Sequence, residues 1–116
     1  MERKELGAAG EEIAARYLAR AGWRIVDRNV RYREGEIDLI AERGGVLAFV
    51  EVKTRRSRAY GTPGEAVTFA KASRIRRLAM RYLAERRPRA QGIRFDVVEL
   101  ARAGDAFTVT HLEDAF

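Results

Sequence analysis

The chain has 116 residues, 23 of them Lys or Arg against 17 Asp or Glu, for a formal charge of +6. That length suits a single domain spanning 1–116, and 47% hydrophobic residues suffice for a packed core. With no cysteine and one histidine, disulfides, thiolate zinc sites and multi-histidine metal sites are excluded. The charged start MERKELGAAGEE lacks the apolar stretch of a secretory leader, and no apolar window is long enough to span a bilayer. A soluble, cytoplasmic protein with no membrane partner is the expectation. A small basic domain points to a polyanionic partner, nucleic acid first.

In chain order, Leu6, Gly10, Ile13, Ala14, Tyr17, Leu18 and Ala21 recur at helical spacing, predicting a helix over 4–21 with Gly22 as its C-cap. Strands are predicted over 23–31, 36–42 and 46–53, separated by the Arg33-Glu34-Gly35 turn and the tight Gly44-Gly45 hairpin. The third strand, VLAFVEVK, is apolar almost throughout and belongs in the centre of a sheet. A basic loop, TRRSRAYG, leads to a helix ending near Arg87. Its start is ambiguous: Thr62-Pro63-Gly64-Glu65 has the capping-box form, and Thr68 is a second N-cap candidate. Strands over 93–100 and 107–112 complete the order αβββαββ, an α/β fold with a mixed five-stranded sheet flanked by two helices.

The Gly44-Gly45 turn fixes the register of the hairpin. It puts Asp38 directly opposite Glu51 in a non-hydrogen-bonded pair, with Cβ atoms about 4.5–5.5 Å apart. Two ionised carboxylates so placed repel, and three things can offset that: a shared proton, a neighbouring Arg or Lys, or a divalent cation. Alternation puts Glu36 on the face of Asp38, and Lys53 and Arg55 on the face of Glu51. Hard oxygen donors without histidine or cysteine suit Mg²⁺ or Mn²⁺, beside which Lys53 can orient a water for attack on phosphorus. On the first helix Glu11 flanks the apolar stripe and can look toward the hairpin. Glu12 points away and is expected to pair with arginine in solvent.

Three of the 23 basic residues are lysines, Lys4, Lys53 and Lys71. In so Arg-rich a chain, a retained lysine hints at a need for a compact ammonium. Arg55, Arg56 and Arg58 leave the end of the acidic strand, where they can hold phosphates. On the second helix Lys71, Arg74, Arg77 and Arg81 fall at helical spacing and can track a nucleic-acid backbone, Lys71 first because the dipole at the helix start also attracts phosphate; for Arg77 and Arg81 a solvated face is an equal reading. Asp96 reads as a structural ion-pair partner, His111 as a sheet residue, and Trp23 and Tyr17 as core or interface aromatics.

Asp38 followed by Glu51-Val52-Lys53 resembles the PD-(D/E)xK nuclease superfamily, with Ile37 where that pattern has proline. More closely, GEEIAARYL (10–18), GEIDLIA (35–41), FVEVKTR (49–55), YGTPGEAV (60–67), Lys71, RFDVV (94–98) and the ending HLEDAF resemble the YraN-like family of bacterial proteins, often described as endonuclease-like. The resemblance implies a restriction-endonuclease-like core similar to archaeal Holliday-junction resolvases. It implies metal ligation by Asp38 and Glu51, a catalytic Lys53, a first-helix acid at Glu11, a less defined role for Glu36, and, by analogy with the resolvases, a homodimer. The function expected is a Mg²⁺- or Mn²⁺-dependent nuclease hydrolysing nucleic acid, DNA first and branched DNA included. The alternatives are a non-catalytic nucleic-acid-binding module on the same scaffold, and a protein-interaction module.

Overall fold

Ala14 and Leu18 of the first helix's apolar stripe pack as their spacing implies, whereas Ala21 lies exposed just past the helix end. In the computed structural model, which describes the backbone of residues 3–55 and 67–116 and side chains from Gly7 onward, α1 (Arg3–Arg20) buries Ala14, Ala15 and Leu18 against the sheet. Gly22, at φ 93°, takes the left-handed conformation that turns the chain into the first strand. Gly10 is buried where a Cβ would collide with Thr54 Oγ1, so the missing side chain lets α1 lie close to the sheet.

The strands are β1 (Arg24–Tyr32), β2 (Gly35–Arg43), β3 (Val46–Arg55), β4 (Gly92–Ala103) and β5 (Ala106–Leu112), ordered β1-β2-β3-β4-β5 in one sheet. β1–β2, β2–β3 and β4–β5 are antiparallel; β3–β4 is parallel from Val46↔Gly92 to Arg55↔Ala101. A parallel pair needs a crossover, which contains α2 (Phe69–Arg86). The sheet is therefore mixed, and β3 is its middle strand. α1 and α2 cover opposite faces. Ala48 and Val50 of β3 join the α1-side core with Leu39, Val98 and Leu100, while Leu47 and Phe49 join the α2-side core with Ile75, Leu78, Ala79 and Tyr82. Burial on both faces explains why β3 reads as an apolar run rather than an alternation. Among the described residues no helix is long and apolar enough to cross a membrane.

The start of α2 is settled within the described residues. Thr68 caps it, its Oγ1 accepting the Lys71 N–H at 3.1 Å, so the second of the two candidate caps is the observed one. The Thr62-Pro63-Gly64-Glu65 box lies outside the described residues, as do Arg56 and Arg58.

The hairpin register is as the turn dictates, Arg43↔Val46 through Leu39↔Val50, with Gly44 and Gly45 at φ 57° and 83°. The regular ladder stops there. Ile37 packs on the α2 side, whereas Leu39 and Ala41 pack on the α1 side, so the period-two alternation slips at Asp38. Asp38 itself takes the ladder position with its side chain: Oδ2 accepts the Val52 N–H at 2.8 Å.

Candidate metal centre

The slip at Asp38 changes how the acids assemble. Alternation from Phe49 and Val50 puts Glu51 and Lys53 on the α2 side of β3, with Val52 and Thr54 on the α1 side. Glu36 does not join Glu51 there. One carboxylate oxygen each from Glu11, Glu36 and Asp38 lies within 4.8 Å of the others, a trio from α1 and β2. Glu51, 8% exposed, is held from the α2 side by Lys71 Nζ at 2.5 Å. The single-face patch of Glu36, Asp38, Glu51 and Lys53 is thus corrected. Asp38 sits at the strand break between the two groups, because its carboxylate has left the ladder geometry to cap the Val52 amide. Glu11, Asp38, Glu51, Lys53 and Lys71 still line one cavity of about 300 Å³ at the end of β3, with Val52 and Thr54 in its wall.

The chain matches the model of the uncharacterised protein family UPF0102 over residues 10–100, a span that holds all five of these side chains. It is 59% identical to a UPF0102 protein of Symbiobacterium thermophilum over 102 residues, covering 88% of this chain and 86% of the relative. Identity is 54% to one from Nocardia farcinica (99% and 91% covered) and 44% to one from Myxococcus xanthus (99% and 91%). The chain belongs to the UPF0102 family. This is the YraN-like family that its GEIDLIA and FVEVKTR segments resemble.

Electrostatics set the character of this UPF0102 cavity. Burial and then the Glu51 charge push the Asp38 carboxyl up to about 8, with Glu11 and Glu36 adding to the rise and the Val52 N–H opposing it. Burial and the neighbouring Glu36 also raise Glu11, while Asn29 and Arg31 pull it down. Asn29 is the residue sequence reasoning missed. It sits within β1 at φ 49°, and its side-chain amide spans the two acids, 2.6 Å from Glu36 Oε1 and 2.9 Å from Glu11 Oε2. Hydrogen-bond logic assigns the amide nitrogen to that side, donating to both. The one sequence signal is the tolerance of asparagine for the left-handed region.

The remaining candidates separate by environment. Lys53 is half-buried on the cavity wall and, among the described residues, forms no ion pair. Arg55 pairs with buried Glu99 at 3.4 Å and is itself largely covered. Lys71 serves Glu51, and Arg74 is exposed on α2. Glu12 pairs with Arg28 at 2.8 Å and Arg16 at 3.2 Å in solvent, as its place on the helix predicts. Asp96 is fully buried, gripped by two guanidinium nitrogens of Arg94, by His111 Nε2 at 2.7 Å and by the Asp114 amide.

These residues fit a hard divalent cation. Glu11, Glu36 and Asp38 offer oxygen donors at mutual distances that one ion can bridge, and burial together with their mutual repulsion raises the carboxyls of Asp38 and Glu11. Glu51 can join them where Lys71 releases it.

Proposed function

We propose that the protein is a metal-dependent nuclease that hydrolyses phosphodiester bonds of nucleic acid, DNA in the first place, with a restriction-endonuclease-like core. The observation that carries this reading is the convergence of Glu11, Glu36 and Asp38, two of which, Glu11 and Asp38, line a cavity that Lys53 also lines. The element order supports it, since an antiparallel β1–β2–β3 meander followed by a helical crossover to β4 delivers Asp38 and Glu51-Val52-Lys53 to the same end of the sheet.

In this mechanism Glu11, Glu36 and Asp38 hold Mg²⁺ or Mn²⁺, with Glu51 available from the α2 side. When bound, the ion supplies Lewis-acid stabilisation of charge on the phosphate oxygens and acidifies water. Lys53 orients the attacking water and offsets negative charge at phosphorus. A new P–O bond forms to that water, the bond from phosphorus to the leaving sugar oxygen breaks, the proton lost by the water passes to solvent or to Glu51, and the leaving oxygen takes a proton from solvent. The slip at Asp38 gives the chain a carboxylate anchored by the Val52 amide.

The test is cleavage of branched, flapped and linear DNA in Mg²⁺ or Mn²⁺. Wild type is expected to cleave at least one of these, and Asp38→Asn and Lys53→Met to lose about 10²-fold or more. Cleavage unchanged in both variants overturns the assignment. One observation favours a second reading, a binding module without turnover: Lys71 already neutralises Glu51 from within. Under it, DNA is bound in a salt-dependent way and left intact in either metal.

A further inference from the structure

We propose that Arg74 and Arg77, on the exposed ridge of α2, hold consecutive backbone phosphates of the nucleic-acid strand that enters the acid cavity. The inference rests on the nucleic-acid reading above and names the surface that does the holding. α2 carries six Lys or Arg residues and one acid, Glu85. Most of the six are occupied. Lys71 serves Glu51, Arg76 lies over the Phe95 ring at 4.7 Å, Arg86 over Tyr82 at 5.8 Å, and Arg81 meets Glu34, Glu85 and the Tyr32 ring. Arg74 and Arg77 are exposed and, among the described residues, form no ion pair.

Their position ties them to the acid cavity. Arg74 lies across the β1–β2 turn at Gly35, where a Cβ would come within 3.3 Å of its Nε and 3.4 Å of its Cδ. The glycine thus makes room for the arginine stem, and the next residue is Glu36 of the acid trio. Arg74, Arg77 and Arg81 line a second cavity of about 240 Å³ with Leu78 and Glu34. Lys71, Arg74, Arg77 and Arg81 therefore form one line along the helix. At about 1.5 Å per residue it runs about 15 Å. Residues three apart on a helix stand about 5–6 Å apart, which lets two guanidiniums grip neighbouring phosphates on one strand. Glu34 and Glu85 balance Arg81 and Glu51 takes Lys71, so among the described residues the unpaired positive charge of the line sits at Arg74 and Arg77, Arg74 being the one beside Gly35.

The test compares Arg74→Gln/Arg77→Gln with a control of equal charge loss on other surfaces, Arg20→Gln/Arg102→Gln. Affinity for a fluorescent DNA duplex of about 20 base pairs is read by anisotropy across a NaCl series in EDTA. The ridge variant is expected to bind at least tenfold more weakly. Its slope of log K against log salt becomes shallower by about 1.8, at about 0.9 for each phosphate no longer neutralised, and the control's slope changes by less than half that. Equal effects of the two variants overturn the proposal, as does an unchanged ridge variant or a wild type that binds no DNA. Mn²⁺ titration calorimetry on the ridge variant is expected to match wild type. Wild type that binds through this ridge but never cleaves sinks the nuclease reading and leaves the ridge standing.

Discussion

Asp38 and Asn29 show how much of the site rests on single side chains. Asp38 must accept the Val52 amide and yet stay beside Glu11, Glu36 and Glu51, so it is held in place where its own charge is unwelcome. Asn29 lessens the conflict between Glu11 and Glu36 by donating to both. Asn29→Gly tests that role, because glycine accepts the φ of 49° and removes only the amide. The variant is expected to lose about 1–2 kcal/mol of stability at pH 7, in the range of hydrogen bonds to charged groups. The loss shrinks as pH falls, because protonation of Glu11, whose carboxyl burial and Glu36 raise, removes the charge that the amide serves, and Mn²⁺ restores it at pH 7. Thermal denaturation at pH 7 and at lower pH checks this. An equal loss at both means that the amide is not bridging carboxylates.

At the scale of elements, the sequence was legible where one physical rule acted alone. The apolar run of β3 could only be a strand buried on both faces, and Gly44-Gly45 fixed its register with β2. Rules in competition were not legible. The hairpin register put Asp38 opposite Glu51, but the Val52 amide found a better acceptor in the Asp38 side chain, and the slip sent Glu36 to the α1 side. Lys71 read as a phosphate contact because nothing in a linear pattern shows that α2 lies over Glu51. Arg55 was likewise read from its place in a basic run, whereas the parallel β3–β4 pairing brings Glu99 to it. Gly10 looked like one more member of a helical stripe, yet it sets how close α1, and with it Glu11, comes to the site. In Gly10→Ala, alanine improves helix propensity by about 1 kcal/mol, but its methyl meets Thr54 and Leu100. Overpacking of this kind costs about 1–3 kcal/mol. A net loss of about 1 kcal/mol is expected, largely recovered in Gly10→Ala/Thr54→Ala, and a denaturant-melt double-mutant cycle measures it. A stabilised single variant would mean that α1 is free to move off the sheet.

For the whole molecule, two buried aspartates give the stability curve its shape, and they act in opposite directions. Burial opposes ionisation of Asp96, but hydrogen bonds from His111, Arg94 and the Asp114 amide outweigh it and hold its carboxyl down at about 2. Its contribution is present above the ordinary aspartate range near 4 and is lost as pH falls toward 2, because the unfolded chain then binds the proton first. Asp38 runs the other way. Between about 4 and 8 the folded protein keeps a proton there that the unfolded chain has released, so stability falls as pH rises across that window and levels off above it. The ion-free protein is therefore expected to be most stable near pH 4–5 and to lose about 2–5 kcal/mol by pH 8, an upper range set by about 1.4 kcal/mol per unit. Asp38→Asn keeps an acceptor for the Val52 amide and removes the proton, so its curve should be flat from pH 5 to 8. Mn²⁺ must displace the same proton. Its apparent affinity should then rise up to about tenfold per pH unit toward 8, and at a concentration of 100 times its Kd it should stabilise the fold by about 2.7 kcal/mol. Chemical denaturation from pH 3 to 9, with EDTA and with Mn²⁺, for wild type and Asp38→Asn, reads every part of this. A wild-type curve that climbs from pH 5 to 8 in EDTA would show that Asp38 is ionised in the folded protein, and that the acids of α1, β2 and β3 are not crowded as the fold places them.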